Sequence, residues 1–341
     1  MNIKKTNASS ANAVSNGWTF QYVAALVIYL EYMDRATNFC IEGEEDIVIN
    51  LKNNKKICAQ AKSSLEKDRI IANHFREIIE SIKTLSKNND AQELISISNF
   101  YYPLGKNDCF SFFQFLDKKS FSSLTTKNKD RIINEIENKY DINFENFKLW
   151  FVRFEGDEPE LSLYDYLKQR LGRVLSNSYV PIKDIALCWL SIIVLNGRSK
   201  TINIDADLIS GTLYGKILNN VQIDKIVPLI DVEINPIYED DFVSFFNDYF
   251  SKKSQSFKVY NSIVNDYNDF LNSKEPSRKE AIKLFVENYC EKSDIPSEIE
   301  NFFAKYNDME LAFDCYKLFI AYICFRSNLI NLIKEVFNYE N

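Results

Sequence analysis

Glu42-Gly-Glu-Glu-Asp46 leads into Ile47-Val-Ile-Asn-Leu51, then Lys52-Asn-Asn-Lys55, then Lys56-Ile-Cys-Ala-Gln60-Ala-Lys62 and Ser63-Ser64. Two short apolar runs around a polar turn read as an antiparallel hairpin. Strand side chains alternate faces, so Gln60 and Lys62 share one face while Ile57, Ala59 and Ala61 take the other. Directly opposed residues of an antiparallel pair point the same way. A three-residue loop, Asn53 to Lys55, sets Asp46 against Lys62 and Val48 against Gln60, and all three polar groups converge. A two-residue turn sets Asp46 against Ala61 and scatters the trio over both faces. The sequence therefore predicts an odd loop. The convergent carboxylate, amide and ammonium are the minimum set for holding a divalent metal and a water against a phosphodiester.

The rest of the chain bounds what such a site can belong to. At 341 residues and 46% hydrophobic content it can build two cores. Glycine (8) and proline (7) are scarce, which favours long helices over a loop-rich chain. The 14% aromatic share reads first as core packing. Cysteines at 40, 58, 109, 188, 290, 315 and 324 show no paired short spacing, which argues against a zinc ribbon and for reduced thiols in a cytoplasmic protein. No apolar signal region opens the sequence, and the longest apolar run, 185–195, is too short to span a bilayer, so no membrane partner is expected. The single histidine, His74, excludes histidine-cluster and two-histidine chemistry, and reads as an ordinary residue of an amphipathic helix. A Gly-rich phosphate loop is absent, so the chain is not itself a P-loop ATPase.

Charge is unevenly spread. Residues 1–200 carry a net +2 and residues 201–341 a net −9, within a total of −7. Lys52, Lys55, Lys56, Lys67, Arg69 and Arg76 gather around the hairpin and are the candidate DNA-binding cations. The acidic part would repel a nucleic-acid backbone and suits a protein partner.

Periodicity predicts a helix over 17–34, strands at 37–42, 46–51 and 56–62, and a helix over 68–87. A strand at 94–99, a helix at 127–138, a strand at 149–154 and helices at 160–175 and 181–196 follow. Strands alternating with helices make an α/β domain. From about 238 nearly everything reads as helix, with Ser-x-x-Glu capping boxes at Ser277–Glu280 and Ser297–Glu300. The Phe and Tyr residues at 242, 245, 246, 249 and 250 read as core or subunit contacts.

Gly17-Trp-Thr-Phe20-Gln21 at the head of the first helix, Glu45-Asp46 after a strand, and Gln60-x-Lys62 followed by Ser-Ser together resemble the PD-(D/E)XK nuclease superfamily. More narrowly, they look like the endonuclease domain of CD-NTase-associated endonucleases and of the Lamassu anti-phage nuclease subunit. The 149–175 stretch adds to the likeness, which covers roughly residues 10–215. The resemblance implies a restriction-endonuclease-like mixed sheet flanked by helices in residues 1–215. An acidic, all-helical oligomerisation or partner-binding domain would fill 216–341. Asp46 then matches the metal-binding acid, Lys62 the catalytic lysine, and Gln21 a polar first-helix residue leaning toward the site. Gln60 stands where the superfamily usually has Glu or Asp, so Mg2+ (or Mn2+) is held with one charge fewer unless Glu45 or a neighbouring glutamate helps.

The function implied is metal-dependent endonucleolytic cleavage, of duplex DNA with low sequence specificity, in bacterial defence against phage or plasmids. Activation would come from an SMC-like or other ATPase partner, or from homo-oligomerisation. A different class is also open: a catalytically inactive adaptor that kept the fold, with Gln60 as the scar. RNA is a further possible substrate. Each residue has a plainer reading too, Asp46 as a strand terminator, Lys62 as a surface lysine and Gln21 as a first-turn helix residue.

Overall fold

The computed structural model describes residues 6–65, 72–88, 90–111, 114–136, 143–156, 158–175, 181–197, 201–218, 222–252, 255–273 and 276–338. They form two compact units. One comprises 1–175, 182–206 and 337–341, the other 176–181 and 207–336. The division falls at Ala206/Asp207, whereas residue 215 lies inside a helix.

The first unit is a seven-stranded mixed sheet flanked by helices. In chain order its elements are α1 (Thr6–Glu31), β1 (Ala36–Ile41), β2 (Ile47–Leu51), β3 (Lys56–Lys62), α2 (Ala72–Leu85), β4 (Glu93–Ser98), β5 (Leu116–Ser120), α3 (Thr126–Ile136), β6 (Phe147–Val152), α4 (Pro159–Leu175), α5 (Ile182–Asn196) and β7 (Ile202–Asp205). The strand order is β5-β6-β4-β3-β2-β1-β7. β1, β2 and β3 form an antiparallel meander, and α2 carries the chain over to β4, which lies parallel to β3. β6 is parallel to β4, so β3, β4 and β6 end on one edge.

β5 and β7 carry no clear sequence signal. β5 reads Leu-Asp-Lys-Lys-Ser, an edge strand with every residue half-buried and therefore without alternation. β7 alternates over only four residues. α1 begins at Thr6 rather than near Gly17. The expected start of α2 at 68 lies outside the described residues.

The hairpin loop is odd, as expected, but it sits one residue earlier than the sequence suggests. Ile47 pairs with Ala59 and Asn50 with Lys56. Leu51 N–H donates to Lys55 O at 2.9 Å, leaving Lys52, Asn53 and Asn54 as the loop. Asn54 takes the left-handed conformation, φ 60°. A three-residue hairpin loop needs one residue there, and asparagine tolerates it better than lysine. One step beyond the Ile47–Ala59 pair, Asp46 therefore comes opposite Gln60 rather than Lys62. Parity is preserved, and Asp46, Gln60 and Lys62 remain on one face.

That face is not polar throughout. Val48 and Cys58, on the same side, join a buried cluster with Phe75, Ile78 and Ile82 of α2 and Leu149 and Phe151 of β6. The opposite face packs against α1. The ribbon is thus apolar in its middle on both sides, and on the Asp46 face polar residues stand at either end, Asn50 and Lys56 near the turn and Asp46, Gln60 and Lys62 away from it. His74 is buried against the Phe100 ring, 4.0 Å between centroids, in keeping with an ordinary helix residue.

The second unit is helical: most of α6 (Ala206–Leu218), then α7 (Ile223–Ile230), α8 (Glu239–Lys252), α9 (Gln255–Ser273), α10 (Arg278–Lys292), α11 (Ser297–Phe303) and nearly all of α12 (Met309–Asn338). Phe242, Phe245, Phe246, Tyr249 and Phe250 of α8 are all buried. Phe250 stacks on Phe319 of α12 at 5.1 Å. The capping box at Ser277 and Glu280 forms. The one expected at Ser297 does not: Pro296 takes the N-cap position and Ser297 is already helical. Among the described residues no helix is long and apolar enough to cross a membrane.

Candidate metal and phosphate site

The site begins with a tight reversal between β1 and β2. Glu42 adopts a left-handed φ of 57°, Glu42 N–H donates to Asp46 O at 3.1 Å, and Gly43 N–H donates to Glu45 O at 3.2 Å. This packs Glu42, Glu44, Glu45 and Asp46 into a few ångströms, an arrangement like-charge repulsion opposes unless each carboxylate is engaged.

All four acids have clear partners, Glu44 in the Lys56 ammonium at 3.0 Å. Asp46 Oδ2 accepts from the Ala61 backbone N–H at 2.9 Å, which places this carboxylate at the continuation of the β2–β3 ladder, between Gln60 and Lys62. Glu45 is buried and accepts two amide donors, Gln60 Nε2 at 2.6 Å and Asn88 Nδ2 at 2.6 Å. Glu42 accepts from Gln21 Nε2 at 2.7 Å, and the same nitrogen donates to Asp46 O at 2.9 Å. Gln21 is buried in α1 and clamps the turn from the helix side. At the strand exit, Asn99 Oδ1 accepts from Ser64 N–H at 2.8 Å while its Nδ2 donates to Ser64 O at 3.1 Å.

Asp46, Gln60, Lys62 and Gln21 are therefore brought together. Burial pushes the Asp46 carboxyl above the ordinary carboxylate range. The Ala61 N–H and the Lys62 ammonium pull it down, while Glu42 and Glu45 push it further up. Among the described residues no hydrogen bond or salt bridge engages the Lys62 ammonium, whose charge acts on Asp46.

Could these residues hold a divalent ion? Among the described residues no group of three or more His, Cys, Asp or Glu is placed to do so. Each Glu45 oxygen receives a buried amide donor, which fixes the carboxylate in place. What it does is orient Gln60, fixing the amide with Nε2 toward Glu45 and leaving Oε1 without a donor among the described residues. The donor set that fits is Asp46 Oδ1 and Gln60 Oε1, one carboxylate and one amide oxygen. That is a hard, oxygen-only set of the kind magnesium uses when water and phosphate complete its shell.

The candidate cations fare less well. Lys52 Nζ donates to Asp34 O at 2.5 Å, and Lys55 is exposed at the hairpin turn. Lys56 is paired with Glu44 at 3.0 Å and Asp90 at 3.6 Å. All three backbone positions sit at the turn end of the ribbon, Lys56 about 20 Å of strand from Lys62, though the Lys56 ammonium reaches back to Glu44 of the acidic turn. Arg76 is exposed on α2, and Lys67 and Arg69 lie outside the described residues.

Sequence reasoning missed Asn88, Asn99 and the role of Glu42. Asn88 follows α2, remote in sequence from Glu45, and no spacing rule links them. Glu42 alone offered a signal, as an acidic residue beside Gly43 at a forced turn. Comparisons with family models, with characterised proteins and with solved structures find no match to this chain.

Proposed function

We propose that this chain is a metal-dependent DNA endonuclease with a site of the PD-(D/E)XK type, acting in the bacterial cytoplasm as the effector of a defence system. The observation that carries this reading is the convergence of Asp46, Gln60 and Lys62 at the end of one β-ribbon, with Asp46 seated on the Ala61 N–H. The mixed sheet flanked by helices supports it as well, because that is the fold the resemblance implies.

In this reading Asp46 and Gln60 would hold Mg2+ or Mn2+ through their side-chain oxygens. When bound, the ion supplies Lewis-acid polarisation of a phosphoryl oxygen and acidifies a water. Glu45 and Asn88 keep the Gln60 amide in one orientation, so its oxygen is presented without rearrangement. Gln21 fixes the turn that carries Asp46. Lys62 lies where an ammonium can orient the attacking water or stabilise charge gathering on the phosphoryl oxygens. No side chain bonds covalently to the substrate. Duplex DNA is the first substrate to test. The helical unit is read as the surface that meets an SMC-like or other ATPase, or a second copy, and so restrains the nuclease until it is needed.

Plasmid cleavage by the full chain in Mg2+ and in EDTA tests the reading. Nicking that requires the metal and falls at least a hundredfold in both Asp46→Ala and Lys62→Ala supports it. Metal-independent nicking, or nicking that survives both substitutions, removes it. The amide at position 60, where the superfamily usually has a carboxylate, favours one rival, a nuclease-fold adaptor without catalysis. Wild-type chain that binds its ATPase partner and DNA yet leaves plasmid intact in Mg2+ and Mn2+ would establish that adaptor instead.

A further inference from the structure

Of the three tryptophans, Trp150 and Trp189 are sealed in the core at 1% and 0% exposure, whereas Trp18 is 42% exposed. Trp18 lies on α1 one turn before Tyr22, their ring centroids 6.3 Å apart and tilted by 53°. Val14, one turn earlier, is also exposed. Positions 14, 18 and 22 thus form a stripe along one side of the helix.

The stripe adjoins the candidate site on two sides. Tyr22 follows Gln21, which holds Glu42 and Asp46, and the Tyr22 phenol is pushed up by burial and by the Glu42 charge. Gly17 precedes Trp18 and faces the strand exit, where a Cβ on it would stand 3.8 Å from Ser63 Oγ, one residue past Lys62. The indole is thus carried between two residues of α1 that meet the candidate site, Gly17 at the strand exit after Lys62 and Gln21 at the turn that carries Asp46. A flat π-surface of one ring system beside a cation-and-carboxylate cluster matches a nucleotide, whose base lies one sugar away from its phosphate.

We propose that Trp18 is a stacking platform for the base next to the scissile phosphate, so that the strand is unpaired where it is cut. This rests on the nuclease reading and narrows its substrate. Single-stranded DNA, or a duplex opened at the site, is preferred to intact duplex, because a paired base keeps its π-face inside the helix. Stacking is tolerant of sequence, in keeping with the lack of any base-reading element.

The burial of the other two tryptophans makes Trp18 its own reporter. The full chain, in Ca2+, is titrated with a fluorescein-labelled oligo-dT while both label anisotropy and tryptophan emission are followed. Expected are saturable binding with quenching of the emission that iodide can reach, and binding about tenfold or more weaker in Trp18→Ala. Trp18→Phe should retain most of the affinity, and in Mg2+ single strands should be cut faster than the matched duplex. Binding that leaves the tryptophan emission unchanged overturns the platform, as does a Trp18→Ala chain that binds and cuts like wild type; in either case the nuclease reading still stands. A chain that neither binds the oligonucleotide nor cleaves it in Mg2+ overturns both.

Discussion

Glu45 and Gln60 divide one task between them, and the division can be tested by giving Gln60 the charge the superfamily usually carries there. Gln60→Glu would set a second carboxylate against a buried Glu45 oxygen now 2.6 Å from an N–H donor. Two carboxylates at that range cannot both ionise. The variant should lose on the order of 3–5 kcal/mol of stability at pH 8, the scale of an uncompensated buried charge. Much of that loss should return at pH 5, where one carboxyl keeps its proton. Thermal melts at the two pH values measure it, and equal melting temperatures for variant and wild type at pH 8 would remove Glu45 as the holder of Gln60. Asp46 gives a prediction of a different kind. Burial leads the causes that raise its folded pKa, so the folded state takes up the Asp46 proton more readily than the unfolded chain does. Ionised Asp46 therefore weighs against the fold, a penalty absent below the unfolded pKa of about 3.9 and complete above the raised folded value. Asp46→Asn should accordingly raise Tm at pH 8 and leave it unchanged near pH 3.5. Added Mn2+ should raise the wild-type Tm at pH 8 but not that of Asp46→Asn, since the ion replaces the missing positive charge. A wild-type Tm indifferent to Mn2+ across this range argues against Asp46 as a ligand.

The hairpin shows which element-level features can be read from residues and which need the third dimension. Oddness of the loop follows from demanding that Asp46, Gln60 and Lys62 share a face, and the coordinates keep it. The exact register does not follow from periodicity, because two neighbouring three-residue loops satisfy the same parity. Asn54 decides between them by accepting φ 60°. Asn54→Val should then cost about 1–2 kcal/mol, while Asn54→Gly stays near neutral, and chemical denaturation of both variants checks the contrast. Deleting Asn53 makes the loop even and turns Asp46 away from Gln60, so cleavage should vanish even where the protein still folds. The long, strongly periodic helices α2 and α4 are legible for the same reason the hairpin is: one apolar face, one core. The edge strand β5 is illegible because an edge half-exposes both faces and erases alternation. Asn88 and Asn99 are illegible because tertiary packing, not local sequence, brings them to Glu45 and Ser64. At Ser297 the Ser-x-x-Glu pattern is present, yet Pro296 supplies the start of α11. That pattern marks a helix beginning more reliably than it marks the capping residue.

Charge is the property of the whole molecule that most constrains how it could work on DNA. The chain is net −7, and residues 201–341 account for −9. Among the described residues Lys62 is the cation at the site itself, while Lys56 is occupied by Glu44 and Asp90. Few phosphates can then be neutralised by one copy of the chain. Because each neutralised phosphate contributes about 0.9 to the slope of log K against log salt on duplex DNA, a chain with three or fewer contacts should show a slope smaller than about 3. Affinity would then fall by less than about a hundredfold between 50 and 200 mM salt. Weak electrostatic capture by a single copy leaves retention on DNA to a second copy or a positively charged partner. Cleavage per chain should therefore rise with chain concentration, in step with a shift from monomer to oligomer seen by light scattering, or on addition of a positively charged partner. A slope steeper than about 5, measured by anisotropy on a labelled duplex with the isolated chain, would mean that cations beyond those around the hairpin carry the interface. The acidic helical unit would then have no part in bringing the site to its substrate.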